Sequence, residues 1–405
     1  MAIIYGTDAG QEIRGTEVGD VIYGYAGADN ICGDGGSDKL FGGSDSDEIT
    51  GNDGNDLIFG DNPVGGPLGV EGNDNLWGGA GNDSVYGQGG DDYVDGGTGN
   101  NKLFGGTGDD VIVAGNGNDT AEGGDGDDCI DVGDGTNTVK GNAGSDEINT
   151  GTGNDTVSGG DGDDVIQSGG GNDSVSGDAG MDKINAGSGN DKVTGGADDD
   201  CILAGDGNDT ASGGLGNDIV LGEAGIDTVN GDAGDDQLDG GAGKDKVNGG
   251  DGNDKVIGGA DNDVLSGGAG SDVFVFRQEE SLTIDTITDW NVFDSGEKIA
   301  LCGEGRTKWW ISEIALVDAN PSDFDYEIDD VIIQLSNGSA IYVLNAASDF
   351  VLGDAPNPGD DWLYTSNADD FVRVAAGDPS CYPTCEVPPV VCETIPEPVW
   401  YFGQA

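Results

Sequence analysis

GGDGDDVIQ occupies residues 159–167, and its cadence returns almost everywhere between Gly6 and Phe276. Counted in nines from Gly6, the register holds through thirty consecutive units to Val275. The sixth position is Asp in 26 of the 30 units; the exceptions are Gln11, Gly65, Asn101 and Asn137. The eighth is almost always Ile, Val or Leu, as in Ile112, Ile130, Val139, Ile148 and Val157, and the first, second and fourth are mostly Gly. Self-similarity at a fixed short period marks a stacked repeat architecture. Glycine permits positive-φ turns, and a stretch such as Asp164-Val165-Ile166 makes a very short strand with one inward side chain. Such a unit cannot bury its apolar face alone, so stacking supplies the core. Gly60–Leu68 (GDNPVGGPL) breaks the pattern but still spans nine residues. It reads as a decayed unit, or as a loop that leaves the register intact.

A second period lies inside the first. From 105 to 212 the eighth positions run Ile112, Ala121, Ile130, Val139, Ile148, Val157, Ile166, Val175, Ile184, Val193, Ile202, Ala211. First positions alternate in step, with Ala114, Val132, Thr150, Ser168, Ala186 and Ala204 replacing Gly in every other unit. A true repeat of eighteen places two strands in each coil turn, one on each of two facing sheets. The fold class is therefore all-β: a flattened parallel β-roll, a two-sheet solenoid of 18 residues per turn. Fifteen turns at the usual strand spacing predict a length of roughly 70 Å.

Coiling puts every second sixth position on one edge. One edge would carry Asp20, Asp38, Asp56, Asp74, Asp92, Asp110, Asp128, Asp146, Asp164, Asp182, Asp200, Asp218, Asp236, Asp254 and Asp272 without a gap. The other would carry Asp29, Asp47, Asp83, Asp119, Asp155, Asp173, Asp191, Asp209, Asp227, Asp245 and Asp263, together with all four exceptions. Neighbouring carboxylates about 5 Å apart repel by roughly 3 kcal/mol at an effective dielectric near 20. A stack of such pairs outweighs the roughly 5–15 kcal/mol that holds an ordinary domain. A cation must sit between the turns. Carboxylate and carbonyl oxygens suit Ca²⁺, whose oxygen shells are flexible, better than Mg²⁺, which wants a strict octahedron. The chain has no His, and its seven Cys are not clustered at these turns, which disfavours transition metals. On the order of twenty or more Ca²⁺ are expected, fewer of them in the first half of the edge with the exceptions.

The nonapeptide GGxGxDxUx resembles the repeats-in-toxin (RTX), haemolysin-type calcium-binding repeat, over residues 6–275. The resemblance implies that the first six residues of each unit form the Ca²⁺ turn, with ions between the sixth-position carboxylates of successive turns. It also implies secretion from a Gram-negative cell through a one-step (type I) exporter that reads an uncleaved C-terminal signal. Cytosolic Ca²⁺ is too scarce to fill the ladder, so the chain would stay threadable inside and fold outside.

After Val275 glycine thins out, and five of the six Trp appear: Trp290, Trp309, Trp310, Trp362 and Trp400. The stretches TIDTITDW (283–290), GEKIALCG and DDVIIQLSNGSAIYVLN (329–345) alternate like strands, with Asn337-Gly338 a hairpin signal. This part resembles the β-rich cap that follows such repeats in serralysin-type proteases. The expected organisation is a roll over 1–275, a β-rich C-terminal cap over 276–377 and a Pro/Cys-rich extended tail over 378–405. Cys32, Cys129 and Cys201 should point outward as free thiols or intermolecular partners. Cys302, Cys381, Cys385 and Cys392 are numerous enough for two disulfides, which would fit an oxidising exterior.

Net charge of −66 with 14 basic residues excludes nucleic acid as a partner. No stretch approaches the roughly 20 apolar residues of a membrane span, so membrane insertion is not expected. The opening MAIIYGTDAG has neither a basic nor a long apolar region, so no cleaved signal peptide is expected. Without His there is no HExxH zinc site and no Ser-His-Asp triad. The acidic residues fall at metal positions, leaving no separate domain for a catalytic cleft; the protein is expected not to be an enzyme. Thr98, Thr107 and Thr152 do not form the flat row that ice recognition would want. The leading expectation is a secreted calcium-binding structural protein that self-associates head to tail into a filament, sheath or surface layer. Ala2-Ile3-Ile4-Tyr5 would act as an open strand edge in that contact. The alternative is a monomeric calcium-dependent adhesin or glycan-binding surface protein.

Overall fold

The computed structural model describes residues 1–61, 71–277 and 283–289, the backbone of seven further strands between 298 and 375, and Cys385, Val387, Pro388 and Cys392. All named elements among them are β-strands. The chain divides into two compact units, Met1–Ala179 with Pro388–Ala405, and Gly180–Val387.

In the first unit two parallel sheets face each other, and the register is the one that the alternation predicts. Ile112 aligns with Ile130, Ile130 with Ile148 and Ile148 with Ile166 on one sheet. Ala121, Val139, Val157 and Val175 align on the other. These eighth-position side chains are at most 3% exposed, and burying each aliphatic chain contributes about 1.5–3 kcal/mol. The second unit repeats the arrangement. Ile184, Ile202, Val220, Leu238, Val256, Phe274 and Ile299 align on one sheet. Val193, Ala211, Val229, Val247, Leu265 and Ile287 align on the other.

Two expectations are corrected. The strands are not uniformly three residues long. Val111–Val113, Cys129–Asp131, Glu147–Asn149 and Val165–Gln167 are, but Thr120–Asp125, Thr138–Ala143 and Thr156–Asp161 run on through the first three positions of the next unit. The eighteen-residue register also does not run on past Asp61. Ile49 aligns with Leu76 and Ile58 with Val85, an offset of 27 residues where every regular neighbour is offset by 18. The pairing thus passes over one nonapeptide's worth of sequence. The irregular unit puts Pro67 at the inward strand position, and proline has no N–H to give to a ladder; residues 62–70 themselves lie outside the described residues.

Beyond the repeats, Ile284–Ile287 and Lys298–Gly303 are strands, and Asp330–Leu335 pairs antiparallel with Ala340–Val343 around Asn337-Gly338, as the hairpin signal predicts. Ile311–Val317 pairs antiparallel with Asp330–Leu335, Phe350–Gly353 pairs antiparallel with Trp362–Thr365, and Phe371–Ala375 runs parallel to Lys298–Gly303; Trp290, Trp309, Trp310 and Trp400 lie outside the described residues.

Candidate metal centre

The sixth-position carboxylates do two jobs with two oxygens. One oxygen is spent on the backbone: the Asp92 N–H donates to Asp110 Oδ1, Asp110 N–H to Asp128 Oδ1 and Asp128 N–H to Asp146 Oδ1, each at 2.8 Å. In the second unit Asp200, Asp218, Asp236 and Asp254 donate in the same way to the carboxylate one turn on. The side chains are buried, 0–3% exposed, along the whole row.

This ladder shows which residues share an edge, and the offset of 27 changes the assignment. In the first unit, one edge carries Asp20, Asp38, Asp56, Asp83, Asn101, Asp119, Asn137, Asp155 and Asp173. The second edge carries Gln11, Asp29, Asp47, Asp74, Asp92, Asp110, Asp128, Asp146 and Asp164. The expected gapless run from Asp20 through Asp74 is therefore wrong. Asp47, not Asp56, precedes Asp74, and the edge that is free of Asn is the one that starts at Gln11. Gly65 lies outside the described residues.

The other oxygen is the functional one. Oδ2 of Asp29, Asp38, Asp47, Asp56, Asp74, Asp83, Asp92, Asp110, Asp119, Asp128, Asp146 and Asp155 is buried and receives no hydrogen bond. The same holds in the second unit for Asp200, Asp209, Asp218, Asp227, Asp236, Asp245, Asp254, Asp263 and Asp272. A buried carboxylate oxygen without a donor is costly. Where the unit opens on glycine, as for Asp110, Asp128, Asp146, Asp200 and Asp236, that oxygen lies against the bare Cα of the glycine; the units of Asp119, Asp155 and Asp209 open instead on Ala114, Thr150 and Ala204. A Cβ on Gly141 would stand 2.0 Å from Asp146 Oδ2 and 2.6 Å from the Gly159 carbonyl oxygen of the next turn. Gly105, Gly123, Gly195, Gly231 and Gly249 are hemmed in the same way. Only glycine lets a carboxylate oxygen and a main-chain carbonyl converge there. Among the described residues no three His, Cys, Asp or Glu side chains meet at one point, so a cation here draws on carbonyls as well as carboxylates. An all-oxygen set with no donor hydrogens fits Ca²⁺.

Without a cation these carboxylates hold protons more tightly than an ordinary carboxyl does. Burial, reinforced by the charges of Asp74 and Asp110 and opposed by the Asp74 N–H, pushes Asp92 up to about 9. Burial likewise raises Asp146 and Asp200 to about 8 and Asp110, Asp128 and Asp254 to about 7.

Asp285 was missed in the sequence. Its Oδ1 accepts the Asp263 N–H at 3.0 Å, and burial raises it to about 7. The signal was there in Asp285-Thr286-Ile287, but the spacing from Asp263 is 22 residues and the nine-residue count stops at Val275. Also missed was a row of half-buried rings at ninth positions: Tyr23, Phe41, Phe59, Tyr86 and Phe104 stack in succession at 4.7–5.3 Å, with Tyr5 at the end of the row. The 27-residue step from Phe59 to Tyr86 hides it from an eighteen-residue count.

The cysteine expectations are also corrected. Cys32 is a free thiol but is buried, hydrogen-bonded with Asp34 and Asn52, and burial raises its pKa. Cys129 is bonded to Cys392 in the first unit and Cys201 to Cys385 in the second, each with Cα atoms 5.6 Å apart. Tail cysteines thus pair with roll cysteines, because the seventh-position side chains face outward where a crossing segment can meet them. Gln167 also donates to the Pro388 carbonyl. Cys381 lies outside the described residues. Cys129→Ser is expected to free the segment around Cys392 to limited proteolysis and to lower stability by on the order of 2–5 kcal/mol. An unchanged digestion pattern and denaturation midpoint would refute the anchoring.

Comparison with known proteins points the same way. The model of the RTX calcium-binding nonapeptide repeat matches residues 5–40, 33–62, 68–103, 104–139, 140–175, 176–211, 212–247, 239–274 and 357–379, which together exceed half of the chain. No curated protein matches the sequence. Among solved structures the extracellular lipase LipA from Serratia marcescens is similar at 14% identity and a TM-score of 0.25, with 75% of this chain and 45% of that chain covered. This chain thus spans less than half of the lipase's length.

Proposed function

The chain belongs to the family of RTX calcium-binding nonapeptide repeat proteins, and from that premise we propose that it is a secreted structural protein that calcium folds outside the cell. The observation that carries this reading is the row of buried Oδ2 atoms with no hydrogen bond to accept. The ligands would be the carboxylates of Asp110, Asp128, Asp146 and their counterparts, together with the first-position carbonyls such as Gly123, Gly141 and Gly159. Calcium supplies the positive charge that this oxygen-only environment lacks. The protein's own contribution is to hold one oxygen of each carboxylate in the backbone ladder, so that the other is already aimed. Ions numbering on the order of twenty would fit the Oδ2 row.

The rest of the reading follows from what the side chains leave undone. The acidic groups are committed to the turns, which supports a non-catalytic role. Export through a one-step channel, with folding on calcium outside, accords with a chain whose core requires the ion. Self-association head to tail draws on the strand Ile3–Tyr5, which pairs with Val21–Ala26 and leaves Ile3 58% and Tyr5 61% exposed. The product would be a filament, sheath or surface layer.

The stacked rings favour a second reading, a monomeric calcium-dependent adhesin or glycan binder. Sugars stack on open ring faces, however, and here the faces are taken up by neighbouring rings at interplanar angles of 3–12°. That leaves ring edges at the surface and makes assembly the better-supported role. Light scattering and electron microscopy of the calcium-loaded protein test it. Filaments or layers that disperse on deletion of residues 1–5 are expected. A monodisperse monomer at high concentration, unchanged by the deletion, would end the assembly reading.

A further inference from the structure

The two edges of the first unit are not chemically equivalent. On the second edge the turns open on Gly105, Gly123, Gly141 and Gly159, and each leaves the bare Cα against which Oδ2 and the next turn's carbonyl converge. On the first edge the corresponding positions are Ala114, Val132, Thr150 and Ser168, all buried at 0–6% exposure. Side chains fill the space that the glycines of the other edge leave open.

Hydrogen donors follow. Asn137 uses its whole amide: Oδ1 accepts the Asp119 N–H at 2.9 Å, while Nδ2 donates to the Gly133 carbonyl at 3.0 Å and to the Thr150 carbonyl at 3.2 Å. Thr150 Oγ1 donates to the Ser168 carbonyl at 3.1 Å. The Thr150 and Ser168 carbonyls are first-position carbonyls of the next turn, the same class of oxygen that converges with Oδ2 on the other edge. Here each already has a protein donor. The backbone differs as well. Gly133, Gly151 and Gly169 sit at φ of 65°, 73° and 85°, whereas Gly106, Gly124 and Gly160 sit at 130°, 133° and 125°. Correspondingly, strand pairing runs through the second-edge turns, as at Gly106–Gly124 and Gly124–Asn142.

We propose that the first-edge turns around Asn137 and Thr150 close on their own side-chain donors and take no calcium, while the glycine-opened turns of the second edge are the calcium row. An amide or hydroxyl hydrogen pointing at a carbonyl occupies one of its two lone pairs, and its positive end repels a cation approaching the same oxygen. Asn137 does by hydrogen bonding what the ion does elsewhere. Asn101 is different: its turn opens on Gly96, and its Nδ2 finds no acceptor, so the argument covers Asn137 and not every asparagine of the ladder.

The inference rests on the calcium reading, and one experiment separates their failures. Crystals grown with Ca²⁺ are measured at a wavelength where calcium scatters anomalously. Peaks along Asp92–Asp164 with none beside Asn137 and the Thr150 hydroxyl are expected. Peaks of equal height on both edges would overturn the inference and leave the calcium reading standing. No peaks on either edge would overturn both. The variant Asn137→Asp replaces the donating NH₂ with an oxygen that faces the Gly133 and Thr150 carbonyls. It is expected to add one peak there and one calcium per chain by elemental analysis. An unchanged map and count would show that the amide is not what keeps the ion out.

Discussion

Stripped of calcium at pH 8, the chain loses most of its far-ultraviolet β signal, and millimolar Ca²⁺ restores it. This is the largest effect expected of the molecule, and it follows from the Oδ2 row. In the glycine-opened turns a carboxylate such as Asp110, Asp128, Asp146 or Asp236 has one oxygen in the backbone ladder and another, without a hydrogen bond, that converges with a main-chain carbonyl. Ionised and ion-free, such a site combines desolvation of a charge with repulsion from the rungs on either side. The apolar cores cannot compensate, because one aliphatic side chain per strand is all that a nine-residue unit supplies. Circular dichroism during a calcium titration checks this. A β spectrum that persists in excess chelator would show that the hydrogen-bonded halves of the carboxylates suffice.

In calcium-free solution acid is expected to do part of what calcium does. The ladder carboxylates sit well above the ordinary 3.8 when folded: about 9 for Asp92, 8 for Asp47, Asp146, Asp200 and Asp263, and 7 for Asp110, Asp128 and Asp254. Groups that bind protons more tightly folded than unfolded stabilise the fold fully below their unfolded pKa. They lose that contribution as pH rises through the folded values. The window therefore opens at about pH 9 and closes near pH 4, with stability increasing downward. Calcium-depleted protein taken from pH 8 to pH 5 should regain β signal. Calcium-loaded protein should show the opposite trend in affinity, because protons compete for the same oxygens. A chain that stays disordered down to pH 4 without calcium would mean that a protonated carboxyl cannot stand in for the ion.

The glycine-aspartate nonapeptide and the alternation of large and small eighth-position residues determine the two-sheet parallel roll. Both follow from local chemistry repeated at a constant interval: glycine where φ is positive, one inward aliphatic per strand, and one carboxylate per turn. The choice of ion was legible for the same reason, since a ladder of carboxylates without His or clustered Cys leaves only a hard cation. Counting cannot say where the chain skips. The pairing steps by 27 residues from Ile49 to Leu76 and from Ile58 to Val85, and where it steps is fixed by strand pairing, not by the nine-residue count. Once one unit is skipped, every earlier residue changes edge, which is why the run from Asp20 to Asp74 was misread and the ring row from Tyr23 to Phe104 was hidden. Asp285 escaped for a related reason, because four extra residues break the count while the pairing of Leu265 with Ile287 continues. The partners of Cys129 and Cys201 lie 263 and 184 residues away, and no spacing rule links a coil position to a segment that crosses it. The unlike roles of the two edges also required coordinates. Val132, Asn137 and Thr150 look like isolated substitutions in a list. Only stacking buries Val132 and places the side chains of Asn137 and Thr150 against carbonyls of the next turn.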